Sequence, residues 1–414
     1  MSPEGAPAVD PGSVIAGLRD LASRTGDERG AQRLCWGPGW RAARELLGER
    51  LAAIAIEPEL DEAGNLWARL PGTDRDAPAL ALGSHLDSVP GGGWLDGALG
   101  VMAALGVLEA WAASGVRPPR DIVLIDFADE EGARFGRSLF GSSALAGTLD
   151  PAELASLRDH DGNPIGDVLA ADGVDLARAP EAGRRIGSIG GYLELHIEQG
   201  PVLAGEGVSC AAVSGCAGVE RHLLTFSGQT SHSGTTPMDA RRDAGLAAVE
   251  SALEIERIAV RHGGVGTTGR IELSPGVVTA VAGRAELSVD LRHPEAEHLA
   301  DMLSEALAAA ASVADARRCV FGGGPIWRIA PIPFDRELVD GAAGSCAAAG
   351  GRAAPIASGA LHDAAEIARR VPTAMIFCAS REGISHAKEE DSSEADLTAA
   401  IEAFGALAAV AVAG

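Results

Sequence analysis

Residues 79–96 read Ala-Leu-Ala-Leu-Gly-Ser-His85-Leu-Asp87-Ser-Val-Pro-Gly-Gly-Gly-Trp-Leu-Asp96, an apolar run that passes into a glycine-rich loop. The apolar run predicts a buried strand that ends at His85, because the Gly- and Pro-rich loop after it cannot continue a strand. Residues 97–111 have the length and apolar content of a buried helix. A strand, loop and helix in this order predict polar side chains at the carboxyl end of a strand, where open α/β sheets bind ligands.

His85 and Asp87 are two residues apart, so their side chains share a face of an extended backbone. Asp87 is then well placed to hydrogen-bond the imidazole of His85 and so orient it toward a metal ion. A buried histidine that is hydrogen-bonded to an aspartate beside a tight turn explains the same pattern. This stretch alone does not choose between the two interpretations.

The composition limits the function and the location of the chain. At 414 residues it is long for a single core, so we expect two domains. The formal net charge of -24 argues against a nucleic-acid partner, which would need clustered Lys and Arg. Residues 1–13 lack the basic and apolar regions of a signal peptide, and no apolar run reaches the roughly 18 residues of a membrane span. We therefore expect no membrane partner.

The cysteines are scattered without paired spacing: Cys35, Cys210, Cys216, Cys319, Cys346 and Cys378. In a chain without a signal peptide, this pattern predicts a reducing, cytoplasmic location and no disulfide framework. Any metal site should then use nitrogen and oxygen ligands.

Three further apolar runs predict strands of the same sheet: residues 120–128, 192–197 and 371–378. The helix at residues 97–111 lies between the strand that ends at His85 and the strand at residues 120–128. This order of strand, helix and strand is typical of parallel pairing. We therefore predict an α/β fold with a mixed, mostly parallel sheet that is flanked by helices.

The order of the predicted strands and helices changes after residue 213. The sequence predicts strands at residues 220–226, 269–273 and 284–292, and helices at residues 239–261 and 294–317. This order fits a small antiparallel sheet with helices on one face, of the α+β, ferredoxin-like type. We therefore predict an inserted domain over residues 213–325, within a first domain formed by residues 1–212 and 326–414.

Each of the four predicted strands of the first domain is followed by potential metal ligands: His85, the pair Glu130-Glu131, His196 and His386. If the strands are parallel, these groups meet Asp96 at one edge of the sheet. Three imidazoles and two or three carboxylates suffice for two divalent ions that share a carboxylate. Zinc suits these ligands best, and manganese, nickel or cobalt would also fit. One of two adjacent glutamates can bind a metal while the other stays free as a general base.

Six motifs follow one another along the chain: Gly83-Ser-His85-Leu-Asp87, Gly92-Gly-Trp-Leu-Asp96-Gly, Asp129-Glu130-Glu131-Gly-Ala-Arg-Phe-Gly, His196-Ile-Glu-Gln199-Gly-Pro, His232-Ser-Gly-Thr-Thr-Pro-Met and Gly383-Ile-Ser-His386. Together they resemble the carbamoylase branch of the di-metal aminoacylase and carboxypeptidase superfamily. That branch contains N-carbamoyl-L-amino-acid hydrolases, allantoate amidohydrolases and β-ureidopropionases. The resemblance extends from about Asp61 to the C-terminus.

The resemblance implies a role for each ligand. His85 and His386 would bind different ions bridged by Asp96, and Glu131 and His196 would complete the two shells. The resemblance also implies two divalent metal ions in each subunit.

The resemblance also implies catalytic groups and a dimer. Glu130 would take a proton from the bridging water and later return one to the leaving nitrogen. Family members are homodimers built through the inserted domain, so His232 would reach the partner's active site and stabilise the oxyanion. Without the resemblance, His232 is only a loop histidine.

Substrate contacts are implied for Gln199 and Arg292, with the Arg292 guanidinium forking onto a carboxylate. Alone, Arg292 is equally well interpreted as a surface ion pair. The segment from Ser358 to Ala364 also matches a family segment near the substrate, which implies that Gly359 contacts the substrate. For His362 in that segment, a structural role explains the pattern as well as a catalytic one.

One departure from the family pattern concerns the substrate. The family typically has Asn-Val-Ile-Pro-Gly before the last strand of the inserted domain, and the Asn contacts substrate. Here the run is Thr279-Ala-Val-Ala-Gly283. Thr279 keeps a hydroxyl group but lacks an amide that both donates and accepts. The identity of the natural substrate is therefore open.

We predict a cytoplasmic, dimeric, two-metal amidohydrolase. It would cleave a linear-amide C–N bond, other than a peptide bond, in a small ureido compound with a carboxylate, such as an N-carbamoyl-L-amino acid or an allantoate-like compound. One alternative is an aminoacylase or dipeptidase of the same superfamily. The other is a non-catalytic binding protein on this scaffold, which the complete ligand set and Glu130 argue against.

Overall fold

The computed structural model describes residues 6–414, so the first five residues of the segment predicted to lack a signal peptide lie outside it. The described chain forms two compact units. The first contains the chain up to Ser214 together with Phe334–Ile356 and Leu361–Gly414, and the second contains Gly215–Pro333 and Ala357–Ala360. The catalytic and dimerisation roles of the predicted domains stay predictions.

The strands that lie wholly or mostly in the first unit are Gly26–Asp27, Gly30–Ala31, Glu59–Leu60, Leu66–Leu70, Ala79–His85, Ile122–Phe127, Ile189–Ile197, Cys210–Cys216, Arg352–Ser358 and Thr373–Cys378. Its α-helices are Pro11–Thr25, Pro38–Ala53, Ala98–Ser114, Phe140–Ala146, Pro151–Leu154, Ile165–Ala171, Val202–Glu206, Arg336–Ala348, Asp363–Ile367 and Glu394–Ala413. Two 3₁₀ helices span Ala179–Ser188 and Arg381–Gly383.

Four neighbouring strands form the parallel centre of the main sheet, in the order Thr373–Cys378, Ile189–Ile197, Ala79–His85 and Ile122–Phe127. Three of them are buried at every residue, as expected for a parallel sheet covered on both faces. Antiparallel strands pair on each side, Cys210–Cys216 with the first of the four and Leu66–Leu70 with the last. The predicted mixed, mostly parallel sheet is confirmed, and the carboxyl ends of the four strands share one edge.

The helix Ala98–Ser114 follows the loop after His85 and is almost wholly buried over its first eleven residues. It begins next to Gly97, whose φ of 63° lies in the left-handed region. A Cβ atom at Gly97 would lie 2.4 Å from the imidazole ring of His85. Only glycine therefore lets the helix begin this close to the histidine.

The helix Glu394–Ala413 is long and apolar enough to cross a membrane by length and composition alone, with a mean hydropathy of 1.6. Half of it is buried inside the structure. Its buried side chains include Leu397, Ile401 and Phe404, and it packs against the strand Thr373–Cys378 and the helix Arg336–Ala348. This packing is that of a core helix in a folded domain.

The strands of the second unit are Gly218–Ser227, Ser231–His232, Val265–Thr267, Ile271–Ser274, Ala280–Val281, Arg284–His293, Val320–Ile329 and Ile332–Pro333. Its helices are the 3₁₀ helix Met238–Ala240 and the α-helices Ala244–His262 and Ala296–Ala316. Five of the strands form an antiparallel sheet around Arg284–His293.

Alternate residues of the strand Arg284–His293 are buried, from Ala285 to Leu291. They form one core with the two α-helices, through side chains such as Ile255 and Met302. The sequence does not predict the strand Val320–Ile329, in which the predicted domain boundary at residue 325 falls. Its Gly-Gly-Gly-Pro run is typical of a loop, and the ladder shifts register between Pro325 and Trp327.

Candidate metal centre

The ends of the parallel strands bring the predicted ligands of the first unit together. His85 is the last residue of its strand and His196 the penultimate residue of the neighbouring strand, and their ring centroids are 5.8 Å apart. Both imidazoles are buried. The backbone after His85 is held by the N–H of Leu86, which donates to Asp126 Oδ1 over 2.8 Å.

The Asp96 carboxylate lies between three imidazoles. Its Oδ1 atom lies 3.2 Å from Nε2 of His196 and 3.9 Å from Nε2 of His85, and its Oδ2 atom lies 3.3 Å from Nε2 of His386. Two groups have ligand atoms that all lie within 4.8 Å of one another, one formed by His85, Asp96 and His196 and the other by Asp96, Glu131 and His386. Asp96 belongs to both groups, one oxygen to each.

The two buried histidines present the nitrogen that a metal needs. Nδ1 of His85 lies 3.1 Å from the main-chain oxygen of Asp87, and Nδ1 of His196 lies 2.9 Å from that of Ile197. Because a carbonyl oxygen only accepts, both Nδ1 atoms carry a proton, which leaves Nε2 of each ring as the atom that can bind a metal ion once it is deprotonated. Among the described residues, Nε2 of His196 makes no well-aligned hydrogen bond, although Asp96 Oδ1 lies 3.2 Å away. These donors fit a divalent transition metal.

The acidic loop after strand Ile122–Phe127 presents its two glutamates differently. Glu131 Oε2 lies 3.4 Å from Nε2 of His386, in the second ligand group. Glu130 belongs to neither group, but its Oε2 lies 3.6 Å from Nε2 of His85. The Asp87 carboxylate accepts the main-chain N–H groups of Glu130 and Glu131, over 3.3 and 3.1 Å. The carbonyl oxygen of Asp87 lies 3.1 Å and its Oδ1 atom 3.6 Å from Nδ1 of His85, so Asp87 contacts this imidazole and also holds the glutamate loop.

Burial and neighbouring charges shift the pKa values of these groups. Burial lowers the pKa of His85 to about 4. Burial also acts to lower the pKa of His196, but Asp96, Glu194 and the carbonyl of Ile197 together raise it to about 9. Burial, then the charge of Asp96, raises the pKa of Glu131 to about 8. Burial and the neighbouring carboxylates also raise the pKa of Glu130 well above its usual range. Cations between these carboxylates would relieve this repulsion.

Gln199 also lies at this centre. Its Nε2 donates to Asp96 Oδ2 over 2.9 Å and lies 3.3 Å from the hydroxyl oxygen of Ser385. The side chain is half-buried, and its φ of 57° is unusual for a residue other than glycine. The structure thus places this predicted substrate residue against the carboxylate shared by the two groups.

The remaining predicted substrate residues lie in the second unit. His232 pairs with Ala280 in a short antiparallel ladder, and the carbonyl of Thr279 accepts the N–H of Ser233 over 2.9 Å. The side chains of His232 and Thr279 are exposed. Apart from the N–H of Gly234, which donates to Nδ1 of His232 over 3.1 Å, little in the unit holds this imidazole.

Arg292 is held more firmly. Its Nη1 donates to the carbonyl of Gly359 over 2.6 Å, and its Nε donates to Asp290 Oδ1 over 2.8 Å. Arg221, directly opposite Asp290 in the ladder, donates to Asp290 Oδ2 from Nε and Nη2 over 2.9 and 2.7 Å. These residues line a groove of about 490 Å³, together with Thr267 and Ser288.

Sequence reasoning missed several buried polar residues around the centre. Glu390 follows His386 in a run of charged residues that is typical of a solvated loop. Its position four residues after a predicted metal ligand is the one feature of the sequence that points to the centre. Arg33 is fully buried although nothing in its sequence context predicts this. His362, for which the sequence left a structural and a catalytic role open, lies at the same centre. Its ring is 4.4 Å from that of His196, and Glu194, His196 and His362 form a third group of close ligand atoms.

Comparison with known proteins gives a consistent result. Residues 81–409 match the model of Peptidase family M20/M25/M40. The chain is 37% identical over 369 residues to an N-carbamoyl-L-amino acid amidohydrolase of Geobacillus stearothermophilus, which covers 89% of this chain and 90% of that one. It is 34% identical over 370 residues to the allantoate amidohydrolase of Escherichia coli, with the same coverage. A hydantoinase/carbamoylase family amidase from Burkholderia ambifaria superimposes with a TM-score of 0.89, at 33% identity over 98% of each chain.

Proposed function

Because the chain belongs to Peptidase family M20/M25/M40, we propose that it is a metal-dependent amidohydrolase acting on a small ureido compound with a carboxylate. The relatives that are 37% and 34% identical over most of the chain are named for N-carbamoyl-L-amino acids and for allantoate. An enzyme of this kind hydrolyses a C–N bond of a linear amide or amidine other than a peptide bond.

The observation that carries the proposal is the position of Asp96, with one oxygen toward His85 and His196 and the other toward His386. His85, Asp96 and His196 would hold one divalent ion, and Asp96, Glu131 and His386 the other. Zinc suits this donor set, and manganese, nickel or cobalt are alternatives. When bound, two such ions lower the pKa of a shared water and polarise a substrate carbonyl.

Glu130 is the general base of this proposal. Its carboxylate lies outside both ligand groups yet within 3.6 Å of His85, so it remains free to exchange protons. It takes a proton from the attacking water as the oxygen bonds to the ureido carbon, and it donates that proton to the nitrogen as the C–N bond breaks. Asp87 holds the glutamate loop through two main-chain N–H groups. Cleavage of one C–N bond of an N-carbamoyl substrate leaves a carbamate, which breaks down in water, so the final products are an amino acid, ammonia and carbon dioxide.

Substrate recognition falls to four of the side chains that the sequence singled out. Gln199 sits beside Asp96, and Arg292 with Gly359 presents a guanidinium for the substrate carboxylate. His232 is exposed on its own unit, which suits a residue that acts in the partner's active site of a homodimer. There it would stabilise the oxyanion, and Thr279 would contact substrate. We place this enzyme in the cytoplasm.

The experiment combines metal analysis with a substrate panel. The protein, stripped with a chelator and reloaded with Zn²⁺ or Mn²⁺, should retain two equivalents and hydrolyse N-carbamoyl-L-amino acids or allantoate. Acetyl-amino acids and dipeptides tested in parallel identify an aminoacylase or dipeptidase instead. Two bound metal equivalents with no turnover of any of these compounds would indicate a binding protein on this scaffold.

A further inference from the structure

The buried carboxylate of Glu390 connects two parts of the candidate metal centre that are almost 300 residues apart in sequence. Its Oε1 atom accepts the main-chain N–H groups of Leu95 and Asp96, over 3.1 and 3.0 Å. Its Oε2 atom accepts the hydroxyl of Ser385 over 2.9 Å. One carboxylate therefore holds the backbone of the shared ligand Asp96 and the residue next to the ligand His386.

Ser385 completes a closed set of contacts. Its hydroxyl oxygen also lies 3.1 Å from Asp96 Oδ2, the oxygen that faces Nε2 of His386 over 3.3 Å. Because a hydroxyl has a single proton, Ser385 donates it either to Glu390 or to Asp96 at one time. Glu390 and Ser385 thus contact both the main chain and the side chain of Asp96.

His386 needs such support because little else holds it. Its side chain is 50% exposed, whereas those of His85 and His196 are each 1% exposed. Its φ of 56° lies in the left-handed region, which residues other than glycine occupy only when their surroundings impose it. His386 also follows a loop rather than ending a strand.

The fit around the carboxylate is close. A Cβ atom on Gly93 would lie 2.0 Å from the Glu390 carboxylate, so only glycine at position 93 leaves room for it. Arg33 is fully buried, and burial lowers the pKa of its guanidinium, whereas the negative charges of Glu390 and Asp96 act in the opposite direction. The Arg33 Nε donates to the carbonyl of Leu86 over 2.7 Å, which ties this cation to the loop of Asp87.

We propose that Glu390 is a positioning residue that sets the distance between Asp96 and His386, and thereby controls the affinity for the ion that these two share with Glu131. The inference rests on the proposed function, because it requires a two-metal centre. The ion held by His85, Asp96 and His196 should depend less on Glu390, because two of its three ligands belong to paired strands.

Titration of Zn²⁺ into the stripped full-length protein against a competing chelator tests this proposal. In Glu390→Gln, which keeps the shape of the side chain, one of two zinc equivalents should bind about 10- to 100-fold more weakly, the range for residues that orient metal ligands. The other equivalent, which shares only Asp96 with the first, should weaken by a clearly smaller factor. Glu389→Gln removes a charge from the exposed neighbouring residue and should behave as the unaltered protein does.

Ser385→Ala provides a second test if Glu390→Gln fails to fold, as circular dichroism would reveal. It should weaken the same zinc equivalent by a smaller factor, because the bonds of Glu390 to Leu95 and Asp96 remain. Folded Glu390→Gln with both equivalents at unaltered affinity would overturn the inference, as would unaltered Ser385→Ala when Glu390→Gln does not fold. If the unaltered protein itself binds fewer than two equivalents, the proposed function fails, and the inference fails with it.

Discussion

The candidate metal ligands of the first unit and the candidate substrate residues of the second are held in very different ways. His85, His196 and Asp96 are buried, and strand ladders or main-chain hydrogen bonds set their positions. His232, in a two-residue strand, and Thr279, in the turn before the partner strand, are exposed in the second unit. The first set needs nothing but the fold and the ions to form a site. The role proposed for the second set requires contacts from a partner subunit, and the predictions below test that difference.

Removal of the metal ions should have the largest effect, because every proposed step depends on them. Treatment with a chelator should reduce hydrolysis to background, and Zn²⁺ or Mn²⁺ should restore it. Turnover followed during stoichiometric remetallation measures this directly. Full activity at less than one equivalent would argue against a two-metal centre.

The metal-free protein should also lose stability as the pH rises. The folded-state pKa is raised to about 8 for Glu131 and to about 9 for His196 and His386, mainly through neighbouring carboxylates for the histidines and burial for Glu131. The folded state therefore binds more protons than the unfolded state between about pH 6.5 and 9, and its unfolding free energy falls across this window. His85 opposes the trend only below about pH 6.5. Denaturant melts with and without metal should diverge with increasing pH.

Glu130→Gln should have the second largest effect. The amide keeps the size of the side chain but cannot take a proton, so kcat should fall by about 10²- to 10⁴-fold. Metal content should stay at two equivalents, because Glu130 belongs to neither ligand group. Metal analysis and steady-state kinetics on the same sample separate the two effects. An active Glu130→Gln enzyme would remove the base from the mechanism.

His232→Ala should follow, and it tests the exposed side of the comparison. If the imidazole stabilises the oxyanion in the partner's site, kcat should fall by about 10²- to 10³-fold with metal content unchanged. Mixing inactive His232→Ala with inactive Glu130→Gln should restore part of the activity, because some dimers then contain one complete site. A lack of complementation in a confirmed mixed dimer would place His232 in its own subunit's site or outside catalysis.

Asp290→Asn should have a smaller effect, and mainly on KM. Asp290 accepts from both Arg221 and Arg292, so its charge aligns the guanidinium proposed to bind the substrate carboxylate. Losing one charged hydrogen bond corresponds to about tenfold in KM. Arg292→Lys, which loses the fork itself, should raise KM at least as much. A substrate analogue with a carboxamide in place of the carboxylate should be indifferent to both changes.

The same contrast explains how far the sequence could predict the molecule. The positions of His85 and His196 follow from strand periodicity, because parallel strands bring their carboxyl ends to one edge. The contacts of Glu390 and Arg33 could not be predicted, because a charged run and an isolated arginine usually lie at the surface. The strand Val320–Ile329 was missed because glycine and proline hide strand periodicity. Roles for His232 and Arg292 came from family resemblance alone, because neither ends a buried strand of the first unit.

Thr279→Asn should have the smallest effect, and it concerns specificity rather than rate. The exposed Thr279 offers one hydroxyl where the family pattern has an amide, which donates and accepts at the same time. One added hydrogen bond corresponds to about 2- to 10-fold in kcat/KM. If the natural substrate is an N-carbamoyl amino acid, the variant should gain on it by that factor. If the natural substrate instead binds the Thr279 hydroxyl, the variant should have a lower kcat/KM for that substrate and a higher kcat/KM for the carbamoyl compounds. Equal kcat/KM values across the panel for both proteins would mean that residue 279 does not contact the substrate.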